Sequence, residues 1–267
     1  MKYIYSGFII SAILFTACSS AKKTTADTVV NNGKVWALLW QQQAAEYKAL
    51  CFQAYNVARL RVDEALKQPA AKPYAIVTDI DETLLDNSPY DAKRAKNNQD
   101  FTNQTWKAWT AKGIADTVPG APAFFKYAAS KGVEVFYITN RDEDERAGTL
   151  KNLQLYSLPN ADNAHLVLKT GSSSSKESRR QQVLSTHTII LLCGDNFSDF
   201  DALYDNKPTL QGRAEVTQKL KQEFGSRYIV LPNPSYGDFE AAWYNFNYKL
   251  TQAQKDSIIK ANLKLDN

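Results

Sequence analysis

Two aspartates separated by one residue follow a short apolar segment, and this pair could carry out chemistry. The apolar segment is residues 75–77, and the acids are Asp79 and Asp81. Apolar and β-branched residues in such a run predict a buried strand. Side chains at i and i+2 of an extended segment point the same way, so both carboxylates can face one site. One could attack an electrophile while the other handles a proton, and a divalent cation would offset the cost of burying both charges.

The same spacing also arises without chemistry, since acids are common at helix N-caps and in solvated turns. Three further strand patterns followed by polar residues favour the chemical interpretation. Residues 133–138 precede Thr139 and Asn140, residues 165–169 lead into a serine-rich run, and residues 188–193 precede Asp195 and Asp199. In open α/β sheets ligands bind beyond the carboxyl ends of the strands, so these groups are expected to meet.

The serine-rich run, residues 172–175, contains the start of a predicted helix. Ser174 and Glu177 have the spacing of a capping box, which places Lys176 in the first turn. The free N–H groups of a helix start, together with a lysine, form an anion site. The four segments together predict an α/β protein with an anion and cation site at one edge of its sheet.

The whole string from Asp79 to Thr83, Asp-Ile-Asp-Glu-Thr, resembles motif I of the haloacid dehalogenase (HAD) superfamily of aspartate-nucleophile phosphohydrolases. Its continuation to Tyr90 resembles the bacterial class C acid phosphatases, the lipoprotein e group. Pro-Asn-x-x-Tyr-Gly at residues 232–237 is similar to the C-terminal signature of that group. The resemblance covers about residues 35–260. It implies a HAD-like Rossmannoid parallel sheet with helices on both faces and a smaller, mostly helical cap.

The resemblance also implies an activity, Mg²⁺-dependent hydrolysis of phosphate monoesters, and a role for each motif. Asp79 would be the nucleophile and Asp81 the acid and base. The Mg²⁺ ligands would be Asp79, Asp81 through its main-chain carbonyl, and Asp195, with Asp199 in support. The phosphoryl group would be bound by Thr139, Asn140 and Lys176, with Arg179 close by. The family further implies a homodimer.

Aromatic residues are the candidates for binding the rest of the substrate. Trp106 and Trp109 lie at helical spacing with Phe101 in a segment after motif I, and Tyr236 follows the last strand pattern. Flat rings beside a phosphate site suit a nucleobase, so nucleoside monophosphates are expected among the substrates. The alternative is that these rings only pack the cap onto the core. The cap is expected from about residues 34–70 and 86–131 of a domain spanning 34–267.

Two other functions are alternatives to hydrolysis of phosphate monoesters. A dehalogenase of the same superfamily would lack the second acid of the pair, so Asp81 argues against it. A surface lipoprotein that binds a nucleotide or haem without turnover stays open as the alternative.

The N-terminus predicts export and lipid anchoring. Residues 1–17 have the length and composition of a signal peptide, and Cys18 follows Phe-Thr-Ala as at a lipoprotein processing site. A plain secretory signal is the alternative. Residues 18–33 are polar and predict a tether between the lipidated Cys18 and the folded domain. With the resemblance to a bacterial lipoprotein group, we expect a lipid-anchored, extracytoplasmic protein of the bacterial cell envelope, with the outer membrane as the expected membrane. The net charge of +4 is too small to indicate nucleic acid binding.

The remaining cysteines and the two histidines predict structural roles. Cys51 lies in a helical pattern and Cys193 in an apolar strand, and we expect both to be free, buried thiols. His165 and His187 begin strand patterns without metal-ligand spacing, which argues against a phosphohistidine mechanism.

Overall fold

The computed structural model describes residues 29–206 and 209–266. The predicted signal peptide, Cys18 and most of the predicted tether lie outside these residues. Within the two described ranges, no helix combines the length and the apolarity that crossing a bilayer requires. The helices are α1 (Val29–Gln43), α2 (Ala45–Ala65), α3 (Ser88–Lys96), α4 (Asn103–Thr110), α5 (Ala121–Ser130), α6 (Arg146–Leu155), α7 (Glu177–Thr186), α8 (Leu210–Lys219), α9 (Asp238–Trp243) and α10 (Gln252–Asn262).

A five-stranded parallel sheet forms the centre of the protein. Two further short strands, β2 and β3, pair with each other outside this sheet. The strands are β1 (Tyr74–Thr78), β2 (Leu85–Asp86), β3 (Asp116–Thr117), β4 (Glu134–Ile138), β5 (Leu166–Val167), β6 (Thr188–Gly194) and β7 (Tyr228–Val230). The order in the main sheet is β5-β4-β1-β6-β7, and every neighbouring pair is parallel. Each strand of this sheet lies in a segment that the sequence predicts as extended.

Both faces of the sheet are buried, which explains why its strands read as continuous apolar runs. Along β1 the side chains alternate between two apolar clusters. Ile76 packs in the cluster that contains Tyr55 of α2 and Phe125 of α5, whereas Val77 packs in the cluster that contains Val183 of α7. Helices on both faces confirm the predicted α/β class.

The segment between β1 and α5 leaves the sheet and returns to it. β2 and β3 pair in antiparallel register and close its base, while α3 and α4 lie between them. Its outer part packs closely on α6. Gly148 of α6 approaches the end of α4 so closely that a Cβ atom there would lie only 2.4 Å from the Thr110 carbonyl oxygen. The buried Thr110 hydroxyl also donates to Glu145 Oε1 at 2.8 Å. We call residues 86–120 the insertion.

The pattern of residues 34–67 predicts one long helix, since apolar residues recur at helical spacing and Gly and Pro are almost absent, but the structure has two helices here. The helical conformation is interrupted at Ala44, whose backbone is extended (φ −75°, ψ 131°). The first helix, α1, begins at Val29, inside the predicted tether. α1 packs on α3 of the insertion, and such packing outweighs the poor helix propensity of residues 31–33. α2 instead packs mainly on α5, β6 and β7, so of residues 34–70 it is mainly α1 that packs on the helices of the insertion.

The two cysteines of the described residues are as predicted. Cys51 on α2 and Cys193 on β6 are both free and buried. Burial raises the pKa of the Cys51 thiol to about 11, so at neutral pH it stays protonated and behaves as a small apolar side chain.

Candidate active site

The carboxyl ends of β1, β4 and β6 lie side by side, and each is followed at once by a polar residue. These residues are Asp79 after β1, Thr139 after β4 and Asp195 after β6. The main-chain N–H of Asp79 donates to the Cys193 carbonyl at 2.9 Å, which extends the pairing of β1 with β6 to the site. The sheet therefore places the three predicted motifs at one edge, where α/β proteins bind ligands.

Lys176 lies between two of the predicted acids. Its ammonium contacts a carboxylate oxygen of Asp79, and it lies 2.7 Å from Asp199 Oδ1. All three side chains are more than nine-tenths buried. Oxygen atoms of Asp79, Asp195 and Asp199 also lie within 4.8 Å of one another. Among the described residues of this cluster, three carboxylates thus lie together, and the one ammonium contacts two of them.

The electrostatics of this cluster fit a divalent cation. The pKa of Asp79 is raised to about 7, because the effect of burial, to which the charge of Asp199 adds, outweighs the lowering by Lys176. Burial also raises the pKa of Asp195 well above its ordinary value, and the charges of Asp199 and Asp79 add to this rise. Carboxylates crowded in this way repel one another, and a further positive charge nearby would stabilise their ionised forms. Carboxylate oxygens are also the ligands that Mg²⁺ prefers. Asp79, Asp195 and Asp199 could therefore hold such an ion.

The carboxylate of Asp81 is held mainly by Arg141, a residue to which the sequence assigned no role. Arg141 Nη2 donates to Asp81 Oδ1 at 2.7 Å, and Arg141 Nε lies 3.2 Å from both carboxylate oxygens. Asn87 Nδ2 donates to Oδ1 at 2.9 Å, and the Thr139 hydroxyl lies 3.5 Å from Oδ2. A sequence feature that could have indicated this role is the position of Arg141, which directly follows Thr139 and Asn140 at a strand end. Its partner, 60 positions away, becomes visible only in the fold.

Arg179 fastens the loop after β4 to the loop before α7. Its guanidinium donates to the Thr139 carbonyl at 2.6 Å, to Asn140 Oδ1 at 2.7 Å and to the Ser175 carbonyl at 3.1 Å. Because Asn140 Oδ1 accepts from Arg179, the NH₂ group is the end of this exposed amide that remains to face a ligand. The predicted supporting residue thus lies where it orients two of the predicted phosphate-binding residues.

The predicted capping box at the start of α7 is wrong. The helix begins at Glu177, and Lys176 is its N-cap residue rather than part of the first turn. The Glu177 carboxylate does not reach back, because it accepts from Arg180 Nη2 and from Gln181 Nε2, both at 2.6 Å. The Ser175 hydroxyl, not that of Ser174, accepts from the Glu177 N–H at 3.3 Å. Lys176 still points into the site.

The C-terminal signature joins two motifs that are far apart in sequence. Asn233 Nδ2 donates to Asp195 Oδ2 at 2.8 Å, and Asn233 Oδ1 accepts from the N–H groups of Ser235 and Tyr236 at 3.0 and 3.4 Å. The Tyr236 hydroxyl in turn donates to the fully buried Glu82. Glu82 has a left-handed backbone (φ 56°), and burial raises its pKa well above the ordinary value. The hydroxyl of Tyr236 is therefore engaged inside the protein, while its ring is half-buried.

The predicted aromatic residues of the insertion gather around Tyr90. The ring centroids of Trp106, Trp109 and Phe101 lie 5.3, 6.5 and 6.5 Å from that of Tyr90. Phe101 precedes α4 rather than sharing its face, since Thr102 is the N-cap. Trp109 Nε1 donates to Asn87 Oδ1 at 2.8 Å, and the Arg141 guanidinium lies 5.7 Å from the Trp106 ring. Both tryptophans remain half-buried next to the groups that hold Asp81.

Two other clusters of titratable residues have partners within the fold. Asp142 and Asp144 both contact Lys107 of α4, at 3.0 and 2.8 Å, which adds to the attachment of the insertion. The two histidines lie beside Glu134 at the amino-terminal end of the sheet, opposite to Asp79. His165 Nε2 lies 3.0 Å and His187 Nε2 3.4 Å from its carboxylate.

The fold and the acidic edge of its sheet define an α/β protein of the HAD class. The family model described as HAD superfamily, subfamily IIIB (acid phosphatase), matches residues 13–239, and the chain belongs to this family. The predicted family and its fold are thereby confirmed.

Known structures and curated proteins agree with this family. Two solved structures of the class C acid phosphatase from Bacillus anthracis, one with tungstate bound, each share 39% identity with this chain at a TM-score of 0.85. They cover 90% and 89% of this chain and 99% of their own. Acid phosphatase 1 of Solanum lycopersicum and the stem 31 kDa glycoprotein of Glycine max are each 26% identical, over 60% and 59% of this chain. The aligned region spans 57% of each of these two relatives.

Proposed function

We propose that this protein is a Mg²⁺-dependent acid phosphatase that hydrolyses phosphate monoesters through an aspartyl-phosphate. The observation that carries the proposal is the contact of buried Lys176 with Asp79. A carboxylate paired with an ammonium at a strand end is oriented and is flanked by positive charge for an approaching phosphate, and the ammonium opposes the protonation that burial favours. The family of acid phosphatases to which the chain belongs supports the same chemistry.

In this mechanism Asp79 and Asp81 have separate tasks. A carboxylate oxygen of Asp79 attacks phosphorus, and the bond from phosphorus to the leaving oxygen breaks. Asp81 gives a proton to that oxygen and later takes one from the water that hydrolyses the aspartyl-phosphate. The hydrogen bonds from Arg141 and Asn87 hold the Asp81 carboxylate in place between these steps.

Thr139, Asn140 and Lys176 would bind the phosphoryl oxygens. Their hydroxyl, amide and ammonium groups can donate to phosphoryl oxygens, and such preorganised donors stabilise phosphoryl charge. The related Bacillus anthracis structure with tungstate bound supports binding of a tetrahedral oxyanion in this fold.

Asp79, Asp195 and the main-chain carbonyl of Asp81 would hold Mg²⁺, with Asp199 supporting them. When bound, the ion would neutralise charge on the phosphoryl group and on the carboxylates. Thr83 and Asn233 orient Asp195 for this task, through contacts of 3.4 and 2.8 Å to its two carboxylate oxygens.

Turnover of p-nitrophenyl phosphate by the full-length protein tests the proposal. Asp79→Asn should abolish turnover, whereas the control Glu64→Gln should leave it unchanged because that exposed acid of α2 contacts Arg61 on its own helix. A chelator should remove wild-type activity, and added Mg²⁺ should restore it. Sustained turnover in Asp79→Asn would refute the nucleophile assignment, and indifference to chelator would remove the metal. A wild type that binds a nucleotide or haem without turnover would instead be the non-catalytic lipoprotein.

The substrates are expected to be broad, with nucleoside monophosphates among the better ones. The half-buried rings of Trp106 and Trp109 lie beside Arg141 and Asn87, which hold Asp81, and the Tyr236 hydroxyl contacts Glu82. A base stacked on such a ring gains about 1–3 kcal/mol whichever base it is. The hydroxyl of Tyr236 and the indole N–H of Trp109 are engaged internally, so their contribution would come from the ring faces. Tyr236→Ala should reduce nucleotide turnover more than p-nitrophenyl phosphate turnover. Equal losses would show that Tyr236 acts through Glu82 alone.

We further propose a lipid anchor at Cys18, an envelope location at the outer membrane, and a homodimer.

For the dimer, the support within the described residues is an apolar surface beside the edge strand β7. Leu50 of α2 and Val230 of β7 are 42% and 37% exposed there. Leu50→Glu should shift the protein to the monomer in size-exclusion chromatography with light scattering, and an unchanged mass would place any dimer contact elsewhere.

A further inference from the structure

The side chain of Asn87 connects the insertion to Asp81. Its Oδ1 accepts from Trp109 Nε1 at 2.8 Å, and its Nδ2 donates to Asp81 Oδ1 at 2.9 Å. The Asn87 main-chain N–H donates to Glu82 Oε1 at 2.7 Å, and Nδ2 also lies 3.3 Å from Glu82 Oε2. Asn87 is fully buried, so water cannot take over these bonds. The sequence analysis singled out Trp109 but gave no role to Asn87.

The neighbours of Asn87 allow its amide only one orientation. An indole N–H can only donate, so it requires the carbonyl oxygen Oδ1. Two carboxylates, of Asp81 and Glu82, then face the NH₂ group. A flipped amide would place donor against donor at Trp109 and oxygen against two carboxylates. Trp109 therefore determines which end of Asn87 faces Asp81.

Asn87 does not serve the more common purpose of an asparagine at this position. It is the N-cap residue of α3, yet its side chain makes no cap hydrogen bond within the described structure. Asn97 at the other end of α3 shows the contrast, because its Nδ2 donates to the Lys93 carbonyl of the same helix at 2.8 Å. The amide of Asn87 is committed to Asp81, Glu82 and Trp109 rather than to the helix.

These contacts make the two oxygens of Asp81 different. Oδ1 accepts from Asn87 Nδ2 at 2.9 Å and from Arg141 Nη2 at 2.7 Å. Among the described residues, the contacts of Oδ2 are longer, 3.2 Å from Arg141 Nε and 3.5 Å from the Thr139 hydroxyl. Two close donors occupy the lone pairs of Oδ1. Oδ2 is consequently the oxygen that remains to exchange a proton.

We propose that Asn87, held by Trp109, is a positioning residue that keeps Asp81 Oδ1 occupied and presents Oδ2 to the leaving oxygen of the substrate. The proposal rests on the proposed phosphatase function. In the step concerned, an oxygen of Asp79 bonds to phosphorus while the bond from phosphorus to the leaving oxygen breaks. The electron pair of that bond stays on the leaving oxygen, which takes the proton from Asp81 Oδ2. Asp81 becomes a carboxylate, and the donors at Oδ1 stabilise its charge.

Leaving-group dependence tests this role, because a positioned acid matters most when the leaving oxygen is basic. We would compare kcat/KM of the full-length protein on benzyl phosphate and on p-nitrophenyl phosphate, since p-nitrophenolate departs with little protonation. Asn87→Ala should reduce kcat/KM on benzyl phosphate about 10–100-fold more than on p-nitrophenyl phosphate. Trp109→Phe, which keeps a ring but deletes the N–H, should change the ratio in the same direction by a smaller factor.

Matched controls and a double variant sharpen the test. Asn97→Ala and Trp243→Phe should leave the ratio unchanged. Asp81→Asn should change the ratio at least as much as Asn87→Ala, and adding Asn87→Ala to Asp81→Asn should change it no further, because both act through one group. An additive effect in the double variant would overturn the proposal.

The remaining outcomes distinguish a positioning role of Asn87 from a structural one, and both from a failure of the phosphatase function. Equal losses on both substrates in folded Asn87→Ala would show a purely structural residue and overturn the proposal. If Asn87→Ala does not fold, Trp109→Phe decides, and an unchanged ratio there overturns it as well. A wild type without turnover on either substrate would overturn the phosphatase function itself, whereas an active wild type with unchanged ratios in the variants removes only the role of Asn87.

Discussion

The insertion approaches α6 closely at Gly148, and Gly148→Ala should loosen that attachment. A Cβ atom at Gly148 would lie 2.4 Å from the Thr110 carbonyl oxygen, 2.8 Å from Ala111 Cα and 3.0 Å from the Thr110 carbonyl carbon. Ordinary contact between such atoms is about 3.5 Å. All three are backbone atoms at the end of α4, so no side-chain rotation can relieve the overlap. Either α4 or α6 must move.

The size of the effect follows from two opposing terms. Overpacking of this kind costs about 1–3 kcal/mol. Alanine improves the helix propensity of α6 by about 0.5–1 kcal/mol. Because the close contacts are all with backbone, the overpacking cost lies at the upper end of its range, about 2–3 kcal/mol. The net loss is then about 1–2.5 kcal/mol, which lowers Tm by about 2–10 °C in a protein of this size. A shift of α4 also moves Trp109 away from Asn87, so phosphatase activity should fall with stability.

Thermal unfolding followed by circular dichroism, with kcat/KM measured on the same samples, checks this expectation. Gly33→Ala in α1 is the matched control, because a Cβ there meets nothing within 4 Å. Its Tm should stay the same or rise slightly through improved helix propensity. If Gly148→Ala were as stable and as active as the wild type, the close packing of α4 on α6 would be refuted.

Three further predictions concern charge and anchoring. Burial lowers the pKa of His165, but hydrogen bonds to Asp162 and Glu134 outweigh it and raise the pKa above the ordinary 6.5. The protonated ring therefore stabilises the fold below that pH, and this contribution is lost as pH rises through the raised pKa. His165→Gln should lower Tm more at about pH 5 than at about pH 8, and equal shifts would contradict this. Lys176→Met leaves two buried carboxylates without their ammonium, so turnover should fall at least about 100-fold and stability by about 3–5 kcal/mol in chelator; wild-type stability there would contradict the pairing. Cys18→Ser should move the exported protein from the membrane fraction to the soluble one, and unchanged membrane retention would refute the anchor.

The sequence by itself determined the strands and the groups that follow them. Apolar runs such as residues 75–77 and 188–193 identify buried strands because a strand covered on both faces needs apolar side chains at every position. Parallel strands bring their carboxyl ends to one edge, so the sequence pattern alone leads to the expectation that Asp79, Thr139 and Asp195 meet. These inferences depend on local pattern and on a general rule of sheet geometry.

Only the tertiary structure decided which side chains hold those groups. Arg141 reaches Asp81 across 60 positions, Asn233 reaches Asp195 across 38, and Tyr236 reaches Glu82 across 154. The same holds for the start of α7, because the Arg180 and Gln181 side chains take the Glu177 carboxylate that a capping box would need. Hydrogen-bond partners depend on side-chain directions and on the packing of distant segments, neither of which a local sequence pattern contains.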